Sequence, residues 1–356
     1  MNAYDEIRER LRSEPRSWLV TGVAGFIGSH LLEALLRLDQ RVIGVDSFVT
    51  GKPANLNDVG RRVGPARARH FSLIEGDIRD PGVCRAAVDG VDVVLHQAAL
   101  GSVPRSLEDP LDAHSSNVTG FLNMLIAARD AGVRRFVYAS SSSVYGDDES
   151  VTKSEPRLGD PLSPYAATKL ADEIYAGVFE RSYGFAGVGL RYFNVFGPRQ
   201  DPNGPYAAVI PRWTEELLRG RDCVVFGSPE KSRDFCFVEN VVQCNLLAAC
   251  VEPVPACTPR VFNVACGERT TLGALFRLIR ERVARHRPEA LNAELLEAAA
   301  RPGDIEHSLA DIQRARHELG YAPLYGIGRG LDRTVDSCVA DVGPRRVSSE
   351  RGAELG

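Results

Sequence analysis

The sequence predicts an α/β protein: a doubly wound parallel sheet with a smaller carboxy-terminal substrate domain. Three observations carry that prediction. Apolar runs alternate with helical spacings up to about residue 140, a glycine-rich turn joins the first run to the first helical segment, and short mixed elements follow residue 163. Trp18-Leu19-Val20 is the first run, and Leu31, Leu32, Leu35 and Leu36 follow at helical spacing. The next runs are Arg41–Val45, Phe71–Ile74, Val91–Leu95 and Phe136–Ala139, with a long helical pattern from Leu111 to Ala131 between the last two. Near-continuous apolar strands separated by helices indicate a parallel sheet covered on both faces. Tyr165–Tyr183 then reads as a helix ending at Gly184, and Val188–Leu190 as a further strand. The segment Arg191–Pro211 has the composition of a loop. Beyond it lie a helix near Arg212–Leu218, a strand at Val224–Phe226 and a helix at Leu272–Val283. The expected division is residues 17–190, with a return near 235–265, for the sheet domain, and 191–234 with 266–335 for the second. A frayed tail is expected over 336–356.

The 356 residues carry 44% hydrophobic and 25% charged side chains, which excludes disorder, collagen and coiled coil for the whole chain. No run approaches a membrane span. The charged stretch from Met1 to Arg16 lacks the apolar centre of a secretory signal. A net charge of −4 without a basic block gives no reason to expect a nucleic-acid partner. The eight cysteines form no CxxC pair, so buried reduced thiols, no metal and a cytoplasmic location are expected. Only four of the 43 basic residues are lysine, namely Lys52, Lys153, Lys169 and Lys231.

Thr21-Gly22-Val23-Ala24-Gly25-Phe26-Ile27-Gly28 lies where a Rossmann-type domain binds a pyrophosphate. Its glycines permit the tight turn, the close approach of the ligand and the packing of helix on strand, while the free N–H groups of the helix amino terminus face the phosphates. Gly22, Gly25, Phe26, Ile27 and Gly28 are the candidate contacts. Asp46 ends the second strand, 18 residues after Gly28. A carboxylate there accepts from the adenosine ribose hydroxyls and repels a 2′-phosphate, which favours NAD over NADP. Asp77, in Glu75-Gly76-Asp77-Ile78, closes the third strand and suits either the adenine edge or a helix cap before Pro81.

Tyr165 and Lys169 are four residues apart and share a helical face. An ammonium one turn from a phenol favours the phenolate and so suits the tyrosine to act as general base. Taken alone the YxxxK spacing is common by chance. Its order after Ser140-Ser141-Ser142-Ser143-Val144-Tyr145-Gly146 and after the glycine loop is what carries weight.

TGVAGFIG, VDSF, GDI, HQAA, SSSSVYG, SPYAATK, RYFNVFG, SRDF and RPGD occur in that order over about residues 17–325. The chain thereby resembles the extended short-chain dehydrogenase/reductase family of nucleotide-sugar epimerases and dehydratases. HQAALGSVPRS, RYFNVFGPRQDPNGPYAAVIP and HSLAD are similar to the bacterial UDP-N-acetylglucosamine 4-epimerases within it. The resemblance implies bound NAD, with Asp77 and Ile78 at the adenine and Gln97, Ala98 and Ala99 on the nicotinamide side. It implies Tyr165 as the base that removes the 4-hydroxyl proton, Lys169 as the group that lowers its pKa and holds the nicotinamide ribose, and Ser141 as the catalytic serine.

For the UDP-sugar it implies Asn194 and Arg233 at the diphosphate, with Arg199 and Gln200 in the same motif, and Arg301 and Asp304 near the phosphate and uridine ribose. Gly101, Ser102, Ser142, Ser143 and Ser308 fall to the sugar. Ser142 and Ser143 stand where the related 4,6-dehydratases typically carry Asp and Glu, so elimination chemistry lacks its acid and base and epimerisation remains. Ser308 stands where galactose-type relatives often carry a tyrosine, which leaves room for a 2-N-acetyl group, although a turn-capping serine is the other reading. A homodimer through the helices Leu111–Ala131 and Tyr165–Tyr183 is the family habit. UDP-glucose or UDP-glucuronate as substrate, a reductase or dehydratase acting on another nucleotide sugar, and a non-catalytic NAD-binding regulator are the alternatives.

Overall fold

The computed structural model describes residues 2–203, 207–251, 260–300 and 306–342. Seven parallel strands form its main sheet: β1 (Ser17–Thr21), β2 (Arg41–Asp46), β3 (Phe71–Glu75), β4 (Val93–His96), β5 (Arg135–Ser141), β6 (Gly187–Tyr192) and β7 (Val261–Val264). Their spatial order is β7-β6-β5-β4-β1-β2-β3. The chain runs outward from β1 to β3 and then restarts at β4 on the other side, so the strand order reverses between β1 and β4. A crevice opens at the carboxyl ends of strands where such a reversal occurs.

Alternation along each strand divides the core between the two faces of the sheet. Trp18, Val20, Val93 and Leu95 face one cluster, which is completed by Leu31, Leu32, Leu35 and Leu36 of α2 (Phe26–Arg37). Leu19, Val94, Phe136 and Tyr138 face the other, with Phe121, Met124 and Leu125 from the helix Gly120–Asp130. A third cluster, holding Trp213, Phe276, Ile279 and Leu331, builds the smaller body beyond the sheet.

Four local expectations change. The charged amino terminus forms α1 (Ala3–Ser13), capped by the Asn2 side chain, with Ile7 and Leu11 buried in the sheet core. The fourth strand begins at Val93, two residues later than its apolar run. The helix expected from Leu111 to Ala131 is three segments, because a π turn at Ser115–Thr119 separates Pro110–His114 from Gly120–Asp130. Finally, Ile327–Val342 is a helix whose Leu331 and Val335 are buried, so the start of the expected tail at 336 is helical instead. Residues 343–356 lie outside the described residues.

The helix α3 (Pro164–Tyr183) carries the tyrosine and lysine. Ser163 caps it by accepting from the Ala166 N–H, Pro164 occupies its first turn, and Gly184 closes it in the left-handed conformation. It is fastened to the sheet by a buried ion pair. Arg191 on β6 donates from Nε and Nη2 to the two oxygens of Glu173 at 2.9 and 2.7 Å, and Ser140 on β5 donates to the same carboxylate at 2.5 Å. Replacing Glu173 by glutamine leaves the Arg191 charge buried without its counterion. A loss of about 3 kcal/mol or more is expected in urea unfolding, because removing one partner of a buried pair strands the other. A loss below about 1 kcal/mol would contradict this account.

Candidate active site

The glycine loop is shaped by contact. Gly22 has φ +66°, and a Cβ there would lie 2.9 Å from the backbone of Ala98. At Gly28 it would lie 2.1 Å from the Gly22 carbonyl oxygen, so α2 packs on the loop only with glycine at this position. Gly25 is the N-cap of α2 and no side chain caps the helix, which leaves its first N–H groups for a ligand.

Asp46 is buried at the end of β2. Its Oδ2 accepts from the Ala24 N–H and its Oδ1 from the Phe48 N–H, both at 2.8 Å. Across the strand reversal, the Thr21 hydroxyl accepts from the N–H groups of Gln97 and Ala98 at 3.1 Å each and lies 3.0 Å from His96 Nδ1. Burial lowers the His96 pKa to about 3, so the ring is neutral. The Gln97 side chain is held by Tyr192 at 3.0 Å and Asn245 at 3.2 Å.

One cleft of about 750 Å³ runs along these carboxyl ends. Gly22, Gly25, Phe26, Ile27, Gly28 and Asp46 line one part of it, and Asp77, Ile78, Gln97, Ala98 and Ala99 line it too. So do Gly101, Ser102, Ser141, Tyr165, Lys169, Asn194 and Gln200. Asp77 is held in the ionised form by the Arg79 guanidinium at 2.6 Å. Lys169 is almost wholly buried, its Nζ donating to the Ala139 carbonyl at 3.0 Å and to Asp172 Oδ2 at 3.2 Å. Ser141 Oγ accepts from the Ser143 N–H and hydroxyl. The Tyr165 N–H donates to Ser106 Oγ at 3.0 Å.

Other expected residues lie elsewhere. Arg199 does not line this cleft: at φ +65° its side chain turns to Glu33 (2.9 Å) and Asp58 (3.4 Å), against a second cavity bounded by Arg8, Arg12 and Arg62. This corrects its placement beside Gln200. Arg233 donates to the carbonyls of Ser232 and Glu306, and the Asn194 side chain donates to the Asp234 carbonyl. Ser308 is buried, its N–H on the Ser232 carbonyl, and neither it nor Ser142, Ser143 or Arg233 lines the cleft. Arg301 and Asp304 lie outside the described residues.

Sequence reasoning missed Asp172 and Asn117. Asn117 sits in the π turn, accepting from the Leu100 N–H at 2.8 Å and donating to Thr168 at 3.0 Å, and thereby joins the loop after β4 to α3. Only the unusual acid within Lys169-Leu170-Ala171-Asp172 could have drawn notice to the first. Among the described residues seven cysteines are free thiols, six of them buried. Among the described residues no cluster suits a metal ion, and no helix is long and apolar enough to cross a membrane.

A glycine cradle, a buried carboxylate at the end of β2 and a tyrosine–lysine pair at the strand reversal define a dinucleotide-dependent enzyme of Rossmann type. The chain belongs to the NAD dependent epimerase/dehydratase family, whose model it matches over residues 18–265, and its cofactor is NAD. It is 36% identical over 321 residues to a UDP-glucose 4-epimerase of Mycolicibacterium smegmatis, covering 89% of this chain and 97% of the relative. It is similar to the UDP-N-acetylglucosamine 4-epimerase of Methanobrevibacter ruminantium in complex with UDP-N-acetylmuramic acid, at 35% identity and a TM-score of 0.83, over 92% of this chain and 99% of that one. The UDP-glucuronic acid 4-epimerase of Bacillus cereus, solved with UDP-glucuronic acid and NAD, is 29% identical with a TM-score of 0.79, over 90% of this chain and 98% of that one.

The loop supplies a test of the cofactor site. Gly28→Ala forces α2 off the loop, so purified protein should lose bound NAD and unfold at lower temperature, by the equivalent of about 1–3 kcal/mol. Gly60→Ala, where the added carbon meets nothing within 4 Å, should leave both unchanged. Full NAD retention in Gly28→Ala would rule out the close packing described here.

Proposed function

We propose that this protein interconverts the C4 epimers of a UDP-hexose, with UDP-N-acetylglucosamine and UDP-N-acetylgalactosamine as the preferred pair. The observation that carries the reading is that Tyr165, Lys169 and Ser141 line the same cleft as the glycine loop and Asp46, with serines rather than carboxylates following Ser141. NAD held by the glycine loop and Asp46 would supply the acceptor, and then the donor, of the C4 hydride. Ser141 holds the C4 oxygen while Tyr165 accepts its proton, and the Lys169 ammonium stabilises the phenolate. The 4-keto sugar turns about its diphosphate link to present the opposite face, and Tyr165 returns the proton. Arg233, Arg301 and Asp304, together with Asn194 and Gln200, are proposed to hold the UDP portion. Without neighbouring carboxylates there is no acid–base pair to expel water from the sugar.

Two features support the choice of sugar. The cleft is lined from the loop after β4 and from the segment before Val209–Leu218 by Gly101, Ser102, Ala207 and Ala208, all small. Its cations among the described residues are Lys169, paired with Asp172, and Arg79, paired with Asp77 and Asp112, so neither is free to match a uronate carboxylate. Assay against the three UDP-sugar pairs should give the highest kcat/KM for the N-acetylated one, and Tyr165→Phe should lower kcat on it by ~10²–10⁴-fold with NAD still bound. Faster turnover of UDP-glucose would overturn the sugar assignment. Near-normal turnover in Tyr165→Phe would overturn the base.

We also propose a homodimer through α3 and Gly120–Asp130. Ile126, Ile174, Tyr175, Val178 and Tyr183 leave an apolar face on these helices exposed to solvent in the single chain. Ile174→Asp with Val178→Asp should halve the mass measured by light scattering. A wild-type monomer would refute the dimer.

A further inference from the structure

Asp172 is fully buried, and its Oδ2 lies 3.2 Å from Lys169 Nζ. Its Oδ1 has no hydrogen-bond partner among the described residues. A carboxylate held this way is not needed to close a hydrogen-bond network of the fold, and its one polar contact is the lysine that serves the tyrosine. Resting on the reading of Tyr165 as base, we infer that Asp172 is a positioning residue that tunes the reaction: its charge offsets that of Lys169 and so sets the pH at which Tyr165 becomes a phenolate.

The groups around Asp172 leave it as the one able to respond near neutrality. On its own helix these are Lys169 and Glu173, and the latter is locked in the Arg191 pair of β6. From β5 Tyr138 faces it, with a pKa raised well above the usual tyrosine value by burial, so it stays neutral. His96 on β4, which feels the Lys169 charge, is also neutral. Burial, only partly opposed by Lys169, pushes the Asp172 carboxyl up to about 7. With Asp172 protonated, the Lys169 charge is uncompensated and favours the phenolate. With Asp172 ionised, the pair is close to neutral and the phenolate loses that support. The two ionisations oppose one another, so they broaden the acid limb of the pH–rate profile beyond a one-proton curve.

The test is the pH dependence of kcat/KM, together with ultraviolet titration of tyrosinate in the NAD-loaded protein, for wild type, Asp172→Asn and Tyr165→Phe. Wild type should show the broadened acid limb. Asp172→Asn should show a one-proton limb moved to lower pH by about half a unit or more, with the tyrosinate signal moving alongside it. Asp172→Ser serves the same comparison if the asparagine variant does not fold. A variant limb that coincides with wild type or moves to higher pH, or a wild-type limb that already follows one proton, would overturn the role of Asp172. If Tyr165→Phe turns over normally, the base assignment fails first and this inference fails with it. If Tyr165→Phe is inactive and the limb of Asp172→Asn is unmoved, only the role of Asp172 falls.

Discussion

The site depends on how the Lys169 ammonium is buried. Its Nζ reaches from α3 to the carbonyl of Ala139 at the carboxyl end of β5, and that 3.0 Å contact fixes the height of the helix over the sheet. One turn earlier along the same face, Tyr165 is thereby set in the cleft. Asp172 supplies the opposite charge at 3.2 Å, and the Glu173–Arg191 pair fastens the next position of the helix to β6. Buried ion pairs are poor sources of net stability but fix geometry well when broken pairs are costly. Here that geometry is the position of a phenol relative to a dinucleotide loop formed more than a hundred residues earlier in the chain.

The other half of the cleft is held by contacts across the strand reversal. Thr21 at the end of β1 gathers the backbone of Gln97 and Ala98 at the end of β4, with neutral His96 in hydrogen-bond contact with its hydroxyl. Gly22 is confined by Ala98, and Gly28 by Gly22. The glycine loop and the segment after β4 are thus one packed unit. The Asp46 carboxylate belongs to this unit as well, tied to the turn through the Ala24 and Phe48 N–H groups.

What could be read from the sequence was what local pattern decides. The strands, the glycine loop, the end of β2 and the tyrosine–lysine helix all carry period, spacing or capping signals of their own. What could not be read depends on contacts distant in sequence. The helix Ala3–Ser13 reads only as a charged stretch until Ile7 and Leu11 are seen in the sheet core, and the π turn at Asn117 has no compositional mark. Arg199 shares a motif with Gln200, yet a single residue at positive φ turns the two side chains to different cavities. Asp172 is one acid among many in the sequence, and only its burial beside Lys169 distinguishes it.

The central claim is that hydrogen leaves C4 of the sugar and returns to the same carbon without reaching solvent. Carrying out the epimerisation in deuterium oxide and measuring the product by mass spectrometry tests this most directly. The account predicts no carbon-bound deuterium at C4 after many turnovers. One deuterium per epimerised sugar would show that a proton from solvent rebuilds that carbon, and would contradict the account.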